Sequence, residues 1–246
     1  EQSWVPVHGE WIYFPTATPG AKRLVYENRW FNKNIWQIDA ADSSAKKLIT
    51  SSRWDCEAQF NRDGTKIAFN STRSGELEIW ASNSDGSECV QLTEFEGPSV
   101  GSPTWSPEGD RLAFVAGPDG FSDLYVLDCK SRKLRRLTSG ASHHLAPSWS
   151  SDGRWLYFGS DRDGTWNIWK LEVDASPSAQ ALQVTRGGGA RAMESLDGTQ
   201  LYFTRTDEAG LWNMRLDGQT SATPTRVSAD LPHRGDWNNW ALWSDG

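Results

Sequence analysis

The chain has 246 residues, 37% of them hydrophobic and 23% charged, with 15 tryptophans and a formal net charge of −7. That acidic balance excludes electrostatic capture of nucleic acid or of an anionic membrane surface, both of which need a basic face. No apolar run approaches the roughly 20 residues that span a bilayer, and three cysteines, Cys56, Cys89 and Cys129, make no disulfide framework.

No signal-peptide pattern stands at Glu1, as expected of a mature form or an excised domain. Residues 1–14 precede the first clear pattern, and Trp4 to Val7 read as an outer strand. From Pro15 to Tyr26 the chain aligns without gaps on Pro103 to Phe114. Asn34-Ile-Trp36 closes that hairpin and Lys47 to Thr50 form an outermost strand. The same order returns from Cys56 to Thr93, from Ser102 to Thr138, from Ala146 to Thr185 and from Ala192 to Val227. The fifth copy carries Glu194 where an inner tryptophan is expected. A further inner strand begins near Asp236, and the chain stops at Gly246.

The fullest copy, Pro147 to Trp169, shows why these segments are strands. Aromatic and β-branched runs alternate with glycine-ended turns that need a positive φ. The turn glycines Gly64, Gly109, Gly153 and Gly198 are spaced by 45, 44 and 45 residues, and Trp36, Trp80, Tyr125, Trp169 and Trp212 keep the same beat. A period of this length with several strands per unit predicts a β-propeller with one four-stranded blade per repeat. The expected fold is all-β: a single domain over residues 1–246, a six-bladed propeller of four-stranded antiparallel blades. Its sixth blade is incomplete, formed by residues 236–246 with an outer strand from residues 1–14. Trp36, Trp80, Trp105, Trp149, Trp169 and Trp212 are expected to be wedges between blades. Arg73 and Arg162 recur after the second strand, which implies a structural ion pair or carbonyl contact. Asn70-Ser71-Thr72 has the letters of a glycosylation sequon but sits at a strand end within the repeat, which favours a structural role.

These P-x-W-S-x-D-G and I-W units resemble the TolB-type, WD-like propeller repeat over nearly the whole chain, from about Pro15 to Gly246. Arg23 to Tyr26, Asn34 to Trp36 and Trp237 to Ala241 are similar to the propellers of CadC-type bacterial winged-helix regulators, although no winged-helix segment is present. The resemblance implies a bacterial sensor or protein-binding domain. It favours a periplasmic or extracellular setting and leaves the cytoplasm open. TolB itself binds partner proteins; other propellers of this kind stand beside peptidase domains, and none is present here.

Candidate chemistry concentrates in the loops expected at the channel face. They carry His8, Glu10 and Trp11; Arg53, Trp54, Asp55 and Glu57; His143 and His144; Arg191 and Glu194; and His233, Arg234, Asp236 and Trp237. Aromatic walls with a few convergent polar groups are the usual make-up of a binding site. Trp11, Trp54 and Trp237 would stack on an apolar or sugar-like surface, with Arg53, Arg191, Arg234, Glu57 and Asp236 fixing orientation. The occupant would be a protein partner or a small molecule, and no cofactor is expected. Neutral imidazole can hold a transition metal, so a metal-dependent lyase or hydrolase using His143, His144 and His233 is an alternative. Adjacent histidines are no ligand-spacing motif, however, and exposed loop histidines are the expectation. Asp161 to Gly164 read as a hairpin turn rather than a calcium loop, Gly187 to Gly189 as a flexible connection, and no nucleophile motif occurs. A third reading is self-association through the open edge of the incomplete blade.

Overall fold

The structure, a computed structural model, describes residues 12–17, 23–29, 33–39, 42–95, 97, 100–118, 120–176, 180–216 and 223–228. These residues form strands and turns without a helix. In chain order the strands are β1 (Ile12–Ala17), β2 (Arg23–Arg29), β3 (Lys33–Asp39), β4 (Ala45–Ile49), β5 (Asp55–Phe60), β6 (Lys66–Ser71), β7 (Glu78–Asn83), β8 (Val90–Gln91), β9 (Val100–Trp105) and β10 (Arg111–Ala116). They continue with β11 (Asp123–Asp128), β12 (Leu134–Arg136), β13 (His144–Trp149), β14 (Trp155–Ser160), β15 (Asn167–Glu172), β16 (Leu182–Gln183), β17 (Arg191–Glu194), β18 (Gln200–Thr204), β19 (Leu211–Arg215) and β20 (Thr225–Ser228). Each consecutive set of four is one antiparallel sheet with its strands in sequence order. The five repeats expected from the closing aromatics are therefore five four-stranded sheets among the described residues.

The chain falls into two compact units. Among the described residues the first runs to Pro103 and contains the first two sheets; the second begins at Thr104 and contains the fourth and fifth sheets, while β9 spans the boundary in the third. The sixth blade expected from residues 236–246 lies outside the described residues. Trp4 to Val7, read as its outer strand, lie outside them too, and Ile12 to Phe14 belong to β1, so the first sheet begins ahead of Pro15. The proline that follows them explains this placement. Pro15 lies within a register shift of β1 against β2, between Tyr13 and Thr16, just as Pro147 lies within the shift between Leu145 and Ser148 on β13. A bulge leaves one residue out of the ladder, which suits a residue without an N–H.

The first turn of each repeat explains the glycine spacing. The N–H of Gly64, Gly109, Gly153 and Gly198 donates to the carbonyl three residues earlier at 2.9–3.0 Å, and all four have φ between 69° and 74°, a conformation that costs other residues a Cβ clash. The acidic residue beside the glycine closes the turn. Asp63 accepts from the Thr65 N–H, Asp152 from the Arg154 N–H and Asp197 from the Thr199 N–H. Hydrogen bonds from neighbouring hydroxyls, chiefly, hold these three carboxyls below the ordinary range of aspartate.

Between the turns, the second strands β6, β10, β14 and β18 are largely buried on both faces, so they read as nearly continuous apolar runs. Phe69, Phe114, Phe158 and Phe203 occupy one register position on β6, β10, β14 and β18. They lie opposite Trp80, Tyr125, Trp169 and Trp212 respectively, and none of the four is more than 1% exposed. The next residue of β14, Gly159, faces Ile168. A Cβ there would stand 2.3 Å from the Ala190 carbonyl oxygen. The matching residue of β6 is Asn70, opposite Ile79, whose amide donates to the Val100 carbonyl at 3.2 Å. This position therefore receives the chain entering the following sheet, either with a donor or with no side chain. Asn70 is 1% exposed, in keeping with a structural rather than a glycosylated sequon. Gly159→Ala should destabilise the protein by about 1–3 kcal/mol through overpacking, read as a lowered denaturation midpoint; an unchanged midpoint would refute the close approach.

The fourth strands β8, β12 and β16 are only two or three residues long, as suits exposed edges. A side chain completes each attachment. Thr93 Oγ accepts from the Ile79 N–H at 2.8 Å and donates to Glu78 at 2.6 Å. Thr138 bridges the Leu124 N–H and Asp123 in the same way, and Thr185 bridges the Ile168 N–H and Asn167. Glu78 and Thr93 are 2% and 6% exposed, so Thr93→Val strands two buried polar groups. The expected loss is about 1–3 kcal/mol, measured by chemical denaturation against Thr93→Ser, which keeps the hydroxyl.

Candidate functional site

The loops that lead into the first strand of each sheet carry most of the candidate residues, and the structure divides them sharply. In the first unit, Arg53 and Trp54 precede β5 and are exposed, Trp54 at 52%. The Lys33 ammonium lies 4.7 Å from the centre of the Trp54 ring. The loop is held by its backbone. Trp54 N–H donates to Thr72 Oγ, Thr72 N–H donates to the Trp54 carbonyl, and Arg53 N–H donates to Ser51 Oγ. An indole is thus kept at the surface by a fixed main chain rather than by burial.

The next residues turn inward. Asp55 is fully buried, receives the Ser71 hydroxyl at 2.6 Å and pairs with Arg73 at 2.7 Å. Glu57, at φ 53° on the bulge of β5, accepts from the Ser102 N–H and from the Asn70 amide. Arg73 also stacks over Trp80 at 5.0 Å, so of the ion pair or carbonyl contact expected at this arginine the ion pair is present, with an aromatic floor.

In the second unit His143 and His144 part company. His143 is exposed and its ring lies 5.2 Å from that of Phe121. Its N–H donates to Asp161, and its carbonyl accepts from the Asp161 N–H. His144 begins β13 and, contrary to the exposed position expected of it, is only 3% exposed. Its Nδ1 is 2.9 Å from Ser160 Oγ, its Nε2 is 3.9 Å from Asp123, and its ring meets the edge of Phe158. Neighbouring residues of a strand face opposite sides, which is why adjacent histidines cannot converge on one ion here. Burial first, then the positive charge of Arg162, push the His144 pKa from 6.5 down to about 4, against the pull of Asp123.

Arg191 begins β17 and is 8% exposed. Glu194 accepts from the N–H and the hydroxyl of Ser151 at 2.9 and 2.7 Å, and it sits beside Tyr157, whose phenol is pushed upward by burial and by this carboxylate. Glu194 therefore joins the fourth and fifth sheets. One repeat earlier, Trp149 joins the third and fourth by donating its indole N–H to the Thr104 carbonyl at 3.1 Å. The loss of the tryptophan in the fifth repeat is compensated by a different bond to the preceding sheet. Trp11, His233, Arg234, Asp236 and Trp237, with His8 and Glu10, lie outside the described residues. Among the described residues no group of three or more His, Cys, Asp or Glu side chains is placed to hold a metal ion.

Sequence reasoning missed the threonine latches and the stacking of the repeated arginines on tryptophan. Both had a signal. The threonine recurs at the end of each outer strand, and Arg73, Arg162 and Arg205 each stand seven residues before the tryptophan they cover.

Comparison with known proteins places these sheets. The chain is 40% identical over 103 residues to an uncharacterized protein of Agrobacterium fabrum, covering 42% of this chain and 35% of that protein. It is 33% identical over 144 residues to a TolB homolog of Chlorobium luteolum, covering 57% of this chain and 31% of that protein. It thus spans about a third of the length of these curated relatives. An Agrobacterium tumefaciens structure provisionally assigned as a TolB superposes with a TM-score of 0.81 at 23% identity, covering 96% of this chain and 87% of that one; at that identity the likeness shows the all-β, propeller-like fold. The family model of the TolB beta propeller domain matches residues 90–231, more than half of the sequence, and the chain belongs to that family.

Proposed function

We propose that this propeller is a non-catalytic binding module that takes a protein segment or a small ligand at the loops entering its inner strands, with Arg53 and Trp54 as contacts. The observation that carries this reading is Trp54, an indole 52% exposed on a loop whose backbone is fixed by Thr72. A rigid, exposed aromatic beside cations has the make-up of an interface anchor. Of the loop residues first considered, Asp55, Glu57, His144, Arg191 and Glu194 are engaged inside or between sheets, which leaves Arg53, Trp54 and His143 as the exposed contacts among the described residues. Trp11, His233, Arg234, Asp236 and Trp237 remain further contacts in this proposal. The divergence of His143 and His144 withdraws support from the metal-dependent lyase or hydrolase.

The finer architecture is part of the proposal: one six-bladed ring over residues 1–246, with an incomplete sixth blade that offers an edge for self-association. So is the kinship with CadC-type regulator propellers, which would make the domain a sensor. A random peptide library displayed on phage tests the binding surface. Peptides selected on the parent protein should bind at least about tenfold more weakly to Trp54→Ala, and more weakly to Arg53→Ala, while the denaturation midpoint stays within about 0.5 kcal/mol of the parent. Selected peptides that bind both variants as well as the parent would overturn the assignment, and an equal loss of stability would make Trp54 a structural residue.

A further inference from the structure

The second and fourth sheets contain the same constellation with one member exchanged. In the second sheet, Arg73 donates from Nε to Ser71 Oγ at 3.0 Å, and its guanidinium lies 5.1 Å from the Phe69 ring and 5.0 Å from the Trp80 ring. One Nη donates to the buried Asp55 at 2.7 Å. In the fourth sheet, Arg162 approaches Ser160 Oγ at 3.4 Å and lies 5.4 Å from Phe158 and 5.0 Å from Trp169. The residue registered opposite Ser160, where Asp55 stands opposite Ser71, is His144. A neutral imidazole has replaced the carboxylate, and the cation has stayed.

Arg162 keeps no ion pair among the described residues, whereas Arg73 pairs with Asp55 and Arg205 with Asp207 at 2.9 Å. The nearby carboxylates are committed elsewhere. Asp161 accepts from the His143 N–H at 2.7 Å, and Asp163 accepts from Thr165, Asn167 and Gln183 at 3.1–3.3 Å. Burial pulls the Arg162 guanidinium below its ordinary pKa, against the weaker attraction of the Asp163 charge. The side chain is only partly buried, so a ligand can reach it, and its planar fork suits a two-pronged acceptor.

We propose that Arg162, in the cradle of Ser160, Phe158 and Trp169, binds the carboxylate group of a ligand, which takes the part that the Asp55 side chain plays beside Arg73. This proposal does not depend on the role of Arg53 and Trp54. It can be supplied by a small organic acid or by the terminal carboxylate of a peptide.

The test is a titration of the protein carrying 15N-labelled arginine, with sodium acetate replacing chloride at constant ionic strength and neutral pH. One arginine Nε–H resonance should shift and saturate, and that response should vanish in Arg162→Gln. His144→Asp should abolish it by supplying the carboxylate internally. N-acetyl-trialanine with a free carboxylate, compared with its amide, separates the two sources: competition by the free acid alone assigns a site open to a chain terminus, and a response to acetate without competition assigns a small acid. The proposal is overturned if no arginine resonance saturates with acetate, if the response survives in Arg162→Gln, or if it survives in folded His144→Asp. The parent titration decides the matter even where a variant does not fold.

Discussion

Phe158→Ala is expected to lower the unfolding free energy by about 3–5 kcal/mol, the range for emptying a buried aromatic site. Phe158 is fully buried with Leu124 and Leu171, and Val115, Leu137, Trp169 and Ala181 pack against them. These residues come from the third and fourth sheets, so the ring fills the space between two sheets rather than a space within one. The cavity cannot collapse easily, because the main chain on both sides is fixed by ladder hydrogen bonds. Phe158→Leu keeps most of the volume and should lose clearly less. Urea denaturation of both variants checks this, through the midpoint at unchanged slope. A loss below about 1 kcal/mol for the alanine variant would show that the fourth sheet does not depend on its neighbour.

The second large effect is a loss of stability between pH 6.5 and 4 that belongs to His144. Its pKa is about 4 in the folded protein against 6.5 in an unperturbed chain. The unfolded state therefore takes up the proton first, and stability falls as the pH drops through 6.5. The loss is complete once the pH reaches the folded value, and amounts to about 3 kcal/mol at 1.36 kcal/mol per pH unit. Burial is the main cause; the facing Arg162 cation adds to it, and Asp123 and Asp161 oppose it. The turn aspartates act in a separate window, since their lowered pKa values protect stability until the pH falls below the ordinary 3.8. His144→Asn keeps a hydrogen-bonding partner for Ser160 and cannot titrate. Its stability should be flat from pH 6.5 to 5, where the parent declines, when both are followed by denaturation midpoints. A decline that persists in the variant would place the titrating group elsewhere.

The two readings of the histidines show where pattern reasoning stops. The repeat locates His143 and His144 at the entrance to an inner strand, but it does not say which of them faces water. That depends on the start of β13, on Ser160 across the ladder and on Asp123 of the preceding sheet, three positions far apart in sequence. The same holds for Asp55 and Glu194. Each looks like a loop carboxylate by its letters, and each is claimed by a partner at least 16 residues away, Asp55 by Ser71 and Arg73 and Glu194 by Ser151.

The strands, the turns and the period were legible in the chain alone, because they rest on local chemistry: a glycine where φ must be positive, an aspartate that caps the turn, and apolar runs of strand length. Repetition then made the fold readable, since one unit explained the next. Burial and exposure at the loop mouths were decided only by tertiary packing. Whether a charged residue ends in water or in an ion pair depends on which side chains the neighbouring sheet brings up to it, and at Arg162 the packing brought up an imidazole where the parallel site has a carboxylate.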